Sequence, residues 1–167
     1  MRTLTRPISA TTAGDLMSRD ILQLSEDTPL REAARQLADA QISGAPVVDR
    51  RGRIVGVLSS TDFMKHACHP EYDAAESDAD CRPACAQHHD YFVDWQVVEV
   101  ESLPSEAVRR YMSRDVVTVD ERTKLPALAR RMVESHIHRV VVVDDDHAPI
   151  GIVTSTDILA AVAGIGS

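Results

Sequence analysis

Apolar positions along this chain follow two rhythms in alternation, and the whole alternation occurs twice. Leu30, Ala33, Ala34, Leu37 and Ala38 recur at the three-and-four spacing of one buried helix face. Two short apolar runs follow, residues 45–48 and 54–58, joined by a polar turn that contains Gly52. Continuous runs of this length predict strands buried on both faces, with helices covering the sheet. A further apolar stretch at residues 21–24 predicts a strand before the helix, and Thr28 is its candidate cap, with Pro29 in the first turn. The second copy predicts a strand at 116–119, a helix striped by Leu125, Leu128, Ala129, Met132 and Val133 with Thr123 as candidate cap, and strands at 140–143 and 150–153. Each copy then runs into an apolar helix, entered by Phe63 and Met64 or by Ile158, Leu159, Ala161 and Val162.

The two copies stand 95 positions apart and align without a gap; 17 of the 52 positions from Leu16 to Ala67 are identical to their partners. MSRD at 17–20 recurs at 112–115, Val47-Val48-Asp49 recurs at 142–144, and GVLSSTD at 56–62 recurs as GIVTSTD at 151–157. Average residue usage would give about one match in fifteen to twenty, so this is an internal duplication.

The repeated heptapeptide supports two readings. Ser, Thr and Asp ahead of an apolar helix are what N-capping requires. A helix start also offers free backbone N–H groups and the positive end of a dipole, which suit phosphate. Hydroxyls at Ser59, Ser60, Thr61, Thr154, Ser155 and Thr156 can donate to phosphate oxygens, and Asp62 or Asp157 can accept from the vicinal hydroxyls of a ribose. Gly56 and Gly151 would let a ligand lie close to a strand, or are plain strand irregularities. Capping and binding are compatible.

The order β-α-β-β-α, found twice and closing each time in G-h-h-[ST]-x-x-D, resembles a tandem pair of CBS domains (cystathionine-β-synthase type), the arrangement called a Bateman module. The resemblance covers residues 13–67 and 108–163. It implies an α/β fold of two repeats packed with pseudo-twofold symmetry, an adenosyl ligand in the cleft between them, and association as a homodimer. It assigns ribose to Asp62 and Asp157 and phosphate to the six hydroxyl residues. Adenine falls to the neighbourhood of Leu22, Ile42 and Pro46 in one copy and of Val117, Ile137 and Val141 in the other. Ile137-His138-Arg139 stands opposite Ile42-Ser43-Gly44. A His-Arg pair at this place resembles a phosphate clamp, which makes His138 and Arg139 candidate phosphate ligands, and a guanidinium can hold two oxygens at once. The first copy lacks the pair, so one well-built site or two unequal ones is expected.

Composition adds an insert. The net charge of −8 is carried entirely between residues 68 and 102, where nine acidic residues face Arg82 alone. The segment 68–107 is longer than a simple connection needs to be, and it holds Cys68, Cys81 and Cys85, His69, His88 and His89, and four of the six aromatic residues, Tyr72, Tyr91, Phe92 and Trp95. CRPACAQHH invites a zinc or redox reading without the tight C-x2-C knuckle; packing within the chain or an acidic-aromatic docking surface for another protein are the alternatives. No basic face announces nucleic acid, and the acidity opposes binding to anionic membranes. The longest apolar run is four valines at 140–143, and residues 1–17 lack a signal-peptide core, so a cytoplasmic protein is expected. No catalytic constellation emerges, since His136 and His138 lack a nucleophile in any recognisable motif and the paired aspartates are related by repetition. The sequence therefore reads as a non-enzymatic sensor. AMP, ADP or ATP come first as its regulatory ligand, S-adenosylmethionine and NAD next, with no required cofactor or metal and with output to an effector protein in trans. A ligand-free adaptor acting through the insert is the rival.

Overall fold

The computed structural model describes residues 7–63 and 103–164. The cysteines, the histidines at 66, 69, 88 and 89, and the four insert aromatics lie outside the described residues, and so do the metal, redox and docking readings that rest on them. In the first repeat, β1 (Leu24–Ser25) pairs in parallel with β2 (Gly44–Val48), which pairs antiparallel with β3 (Ile54–Ser59). In the second, β4 (Thr118–Asp120), β5 (Arg139–Val143) and β6 (Pro149–Thr154) repeat this order and these directions. Short helix α1 (Ala13–Leu16) precedes the first sheet. Helix α2 (Leu30–Asp39) crosses between β1 and β2, α3 (Leu125–Glu134) between β4 and β5, and α4 (Ser155–Val162) follows β6. The α/β architecture of two like repeats is the one the apolar pattern predicts. β1 and β4 are shorter than expected and begin later, and the chain further upstream of each is committed elsewhere.

That commitment is an exchange. The segment leading into each repeat packs on the other one. Leu103, Val108 and Met112, which lead into β4, are buried in the core of Leu24, Leu30, Leu37, Val47, Leu58 and Phe63. Ala13, Leu16 and Met17, at the start of the chain, are buried with Val119, Leu125, Leu128, Val140 and Val153. The bridges between the repeats obey the 95-residue offset. Ser113 bridges Val57 as Ser18 bridges Ile152, and Pro29 bridges Ala107 as Lys124 bridges Thr12. Pseudo-twofold symmetry is therefore written in main-chain hydrogen bonds. Phe63 and Leu103, which flank the undescribed 64–102, both belong to the first repeat's core.

The exchange also overturns the expected caps. The residues at the N-caps of α2 and α3 are Pro29 and Lys124, and neither makes a side-chain cap. The Leu30 N–H donates instead to the Glu106 carbonyl at 2.8 Å and the Leu125 N–H to the Thr11 carbonyl at 2.9 Å, each on the leading segment of the opposite repeat. The Thr28 and Thr123 carbonyls accept from Val108 and Ala13 N–H groups, both at 2.8 Å. Tertiary main-chain partners satisfy the free helix-end donors that a threonine side chain would otherwise serve.

At their C-termini, α2 and α3 close identically. Gln41 (φ 54°) and His136 (φ 53°) adopt left-handed conformations. Ile42 N–H then donates to the Leu37 carbonyl at 3.1 Å and Ile137 N–H to the Met132 carbonyl at 3.0 Å, the Schellman arrangement with its apolar contact. The turns between the last two strands match as well, with Gly52 at φ 78° and His147 at φ 63°. A non-glycine residue there costs about 1–2 kcal/mol, part of which glycine returns to the unfolded chain. Replacing His136 or His147 by glycine is therefore expected to stabilise the protein by about 0.5–1 kcal/mol each, read as a raised midpoint in chemical denaturation.

Candidate functional site

Each hydroxyl-rich heptapeptide runs from the last strand of its repeat into the following helix. In the second copy, Thr154 is the N-cap of α4 and Asp157 its third residue, and the two form a reciprocal capping box. Asp157 Oδ2 accepts from Thr154 N–H at 2.7 Å and from Thr154 Oγ1 at 2.6 Å, and Asp157 N–H donates to Thr154 Oγ1 at 3.3 Å. The first copy repeats the carboxylate half: Asp62 Oδ2 accepts from Ser59 N–H and Ser59 Oγ, both at 2.8 Å. The capping reading is thus realised in the fold, and it occupies one oxygen of each carboxylate.

The adjoining strands are tied to these helix starts by main chain. Ser60 N–H donates to the Ser43 carbonyl at 2.8 Å, and Ser155 N–H to the His138 carbonyl at 2.9 Å. Gly44 lies opposite Ser59 in the β2–β3 register, and Arg139 lies opposite Thr154 in β5–β6. From there the Arg139 side chain crosses into the first repeat, where Nη2 donates to Ser43 Oγ at 2.5 Å and Nη1 to the Gly44 carbonyl at 3.4 Å. Burial lowers the pKa of this half-buried guanidinium, though arginine stays charged at any working pH. Both of its partners are neutral oxygens. Among the described residues, therefore, no carboxylate pairs with this positive charge where the two repeats meet.

The remaining expected residues divide by environment. Ser60 is buried and Ser155 half-buried, whereas Thr61, Thr156 and His138 are exposed, and His138 reaches the site through its carbonyl. Leu22, Val117 and Ile137 are half-buried against the two cores, and Pro46 is buried in β2. The reading of Gly56 and Gly151 as room for a ligand is corrected. A Cβ on Gly56 would lie 2.5 Å from Met112 Sδ and 2.9 Å from the Ser113 carbonyl oxygen, and one on Gly151 would lie 2.5 Å from Met17 Sδ. Each glycine makes space for the methionine of the opposite leading segment. Two polar residues escaped sequence reasoning. Ser43 anchors Arg139, and Ser113 Oγ donates to Asp62 Oδ1 at 3.4 Å. The repeated Met-Ser of MSRD was visible as a signal, but its role depends on the exchange. No helix among the described residues is long and apolar enough to cross a membrane.

Comparison with known proteins agrees with this geometry. The family model of the CBS domain matches twice, at residues 13–69 and 108–164. Uncharacterized protein MJ1426 of Methanocaldococcus jannaschii is 29% identical over 88% of this chain and 88% of its own length. MJ1232 of the same organism is 30% identical over 90% of this chain but 39% of its own length, and for MJ1404 the latter share is 25%. The chain thus spans between a quarter and two fifths of these two longer relatives. An L-aspartate semialdehyde sulfurtransferase of that organism also matches, at 27% identity, over 22% of its length. Among solved structures, the CBS domain pair of protein MJ0100, in complex with 5′-methylthioadenosine and S-adenosyl-L-methionine, superposes with a TM-score of 0.67 at 25% identity, covering 92% of this chain and 97% of that one. MJ1225 of Methanocaldococcus jannaschii gives a TM-score of 0.64 at 28% identity, over 90% of this chain and 47% of that one.

Proposed function

The chain belongs to the CBS-domain family and carries the domain as a tandem pair, and from that premise we propose that it is a regulatory sensor: it binds an adenosyl ligand between its repeats and passes the signal to a partner protein. One observation carries this reading above the others. Arg139 of the second repeat is half-buried, lies against the first repeat, and among the described residues has the neutral oxygens of Ser43 and Gly44 as its side-chain partners. A desolvated cation of this kind gains most from an anion, and a ligand phosphate beside the hydroxyl-rich helix starts would supply one. Asp157, three residues past the Thr154 that pairs with Arg139 in the β5–β6 register, has one oxygen outside the capping box, suited to a ribose diol. The adenosyl compounds held by the MJ0100 pair support the same ligand class.

Binding would change the relative pose of the repeats, because Arg139 links them, and an effector that reads that pose would receive the signal. This role needs no catalytic step, in keeping with the enzymatic relative of which the matched stretch is a 22% share. Cytoplasmic location and a homodimer complete the reading. The test is calorimetric titration with AMP, ADP, ATP, NAD, S-adenosylmethionine and 5′-methylthioadenosine. Micromolar binding of at least one is expected, and heat from none would reject the sensor.

A further inference from the structure

Positions 44 and 139 are counterparts in the two repeats, and they touch: Arg139 Nη1 donates to the Gly44 carbonyl at 3.4 Å. The arginine thus reaches across the pseudo-twofold relation to its own counterpart, where a second long side chain would compete for the same space. The first repeat leaves that space clear. Gly44 runs so close to β3 that a Cβ on it would lie 2.8 Å from the Leu58 carbonyl oxygen and 3.0 Å from Ser59 Cα, both main-chain atoms. No side chain can stand at position 44 without moving the strand, and the guanidinium of Arg139 comes in beside it.

Ser43 forms the other half of this seat. Its Oγ accepts from Arg139 Nη2 at 2.5 Å, the shorter of the two bonds, and its carbonyl accepts from Ser60 N–H at 2.8 Å. The hydroxyl is therefore carried on main chain that is pinned to the helix start of the first repeat. A free arginine gives up much rotamer freedom when a ligand orders it. Here the fold has ordered it beforehand, and the guanidinium has more N–H donors than these two partners use. A charge held ready in one place favours a ligand that brings an anion there over one that does not.

We propose that Ser43 is a positioning residue that sets the ligand class: by seating Arg139 across the repeat boundary, it makes the protein select adenosyl ligands that carry a phosphate over those that carry none. This role rests on the sensor reading above and goes beyond it, since it assigns selectivity to a side chain that acts through another.

The experiment is calorimetric titration of the full chain with AMP, adenosine and S-adenosylmethionine. The variants are Ser43→Ala, Ser43→Thr, Arg139→Gln and the double variant Ser43→Ala with Arg139→Gln. Ser43→Ala should weaken AMP binding by about three- to tenfold, the range of one hydrogen bond, and change binding of the other two ligands by less than about twofold. Ser43→Thr keeps the hydroxyl and should bind AMP within about twofold of wild type. With Arg139 already replaced, removal of the hydroxyl should change AMP affinity by less than about twofold, because a positioning residue acts only through what it positions. A merely structural role would lower affinity for all three ligands alike. A serine that bound phosphate itself would keep its effect in the Arg139→Gln background. Either result, or equal losses of AMP affinity in Ser43→Ala and Ser43→Thr, overturns the proposal and leaves the sensor standing. Binding of S-adenosylmethionine with silence from AMP does the same, and heat from no member of the panel above overturns the sensor reading with it.

Discussion

Replacing Arg139 by glutamine is expected to weaken AMP binding by about 10- to 100-fold while changing adenosine binding by no more than about twofold. The range is that of a hydrogen bond to a charged group, about 1.5–3 kcal/mol. The guanidinium is already partly desolvated, and among the described residues its partners are Ser43 Oγ and the Gly44 carbonyl, neither of which neutralises it. A phosphate arriving there meets a cation whose burial has been met by the fold beforehand, so the interaction is stronger than at an exposed arginine. Adenosine lacks the anion and should not register the change. Arg139→Lys is a useful companion, since it keeps the charge but loses the planar fork that spans two oxygens; AMP affinity between wild type and Arg139→Gln is expected. The readout is paired calorimetry with the nucleoside and its monophosphate. Equal losses for both ligands would mean that Arg139 acts only by holding the repeats together.

The second large effect is on stability. Gly56→Ala is expected to destabilise the protein by about 2–3 kcal/mol, near the upper end for adding one methyl group to a packed interior. A Cβ there would approach Met112 Sδ and Cγ at 2.5 and 2.9 Å and the Ser113 carbonyl oxygen at 2.9 Å. The methionine can turn aside, but the Ser113 main chain is fixed by two hydrogen bonds to Val57, at 2.9 and 3.0 Å. Gly151→Ala should cost less, because the three nearest atoms all belong to the Met17 side chain. Thermal unfolding separates the two cases: at about 2–4 °C per kcal/mol for a chain of this size, Gly56→Ala should lower the midpoint by about 4–12 °C, and Gly151→Ala by visibly less. Equal shifts would show that main chain and side chain yield alike, and that the leading segment is not the rigid partner.

The sequence by itself determined the duplication, the order of strands and helices, and the identity of the terminal motif. These are local properties. A helix stripe such as Leu30, Ala33, Ala34 and Leu37 declares itself within three turns, and a buried strand such as residues 140–143 within one apolar run. Repetition at a fixed offset needs no structure to be seen, and even the capping box of Thr154 and Asp157 is legible, because its partners are three residues apart. Only the tertiary structure decided which repeat each leading segment completes. Residues 12 and 124, or 29 and 107, are far apart in sequence, and no periodicity distinguishes packing on the near repeat from packing on the far one. That exchange moved the helix caps from threonine side chains to distant carbonyls and turned Gly56 and Gly151 from ligand room into methionine room. It also brought Ser113 to Asp62, whereas among the described residues Ser18 makes no such bond to Asp157, so two closely similar motifs acquired different partners. Arg139 illustrates the division most plainly: the sequence marks it as a cation at a strand start, but its contact with Ser43, 96 positions away, exists only because folding sets the two repeats face to face.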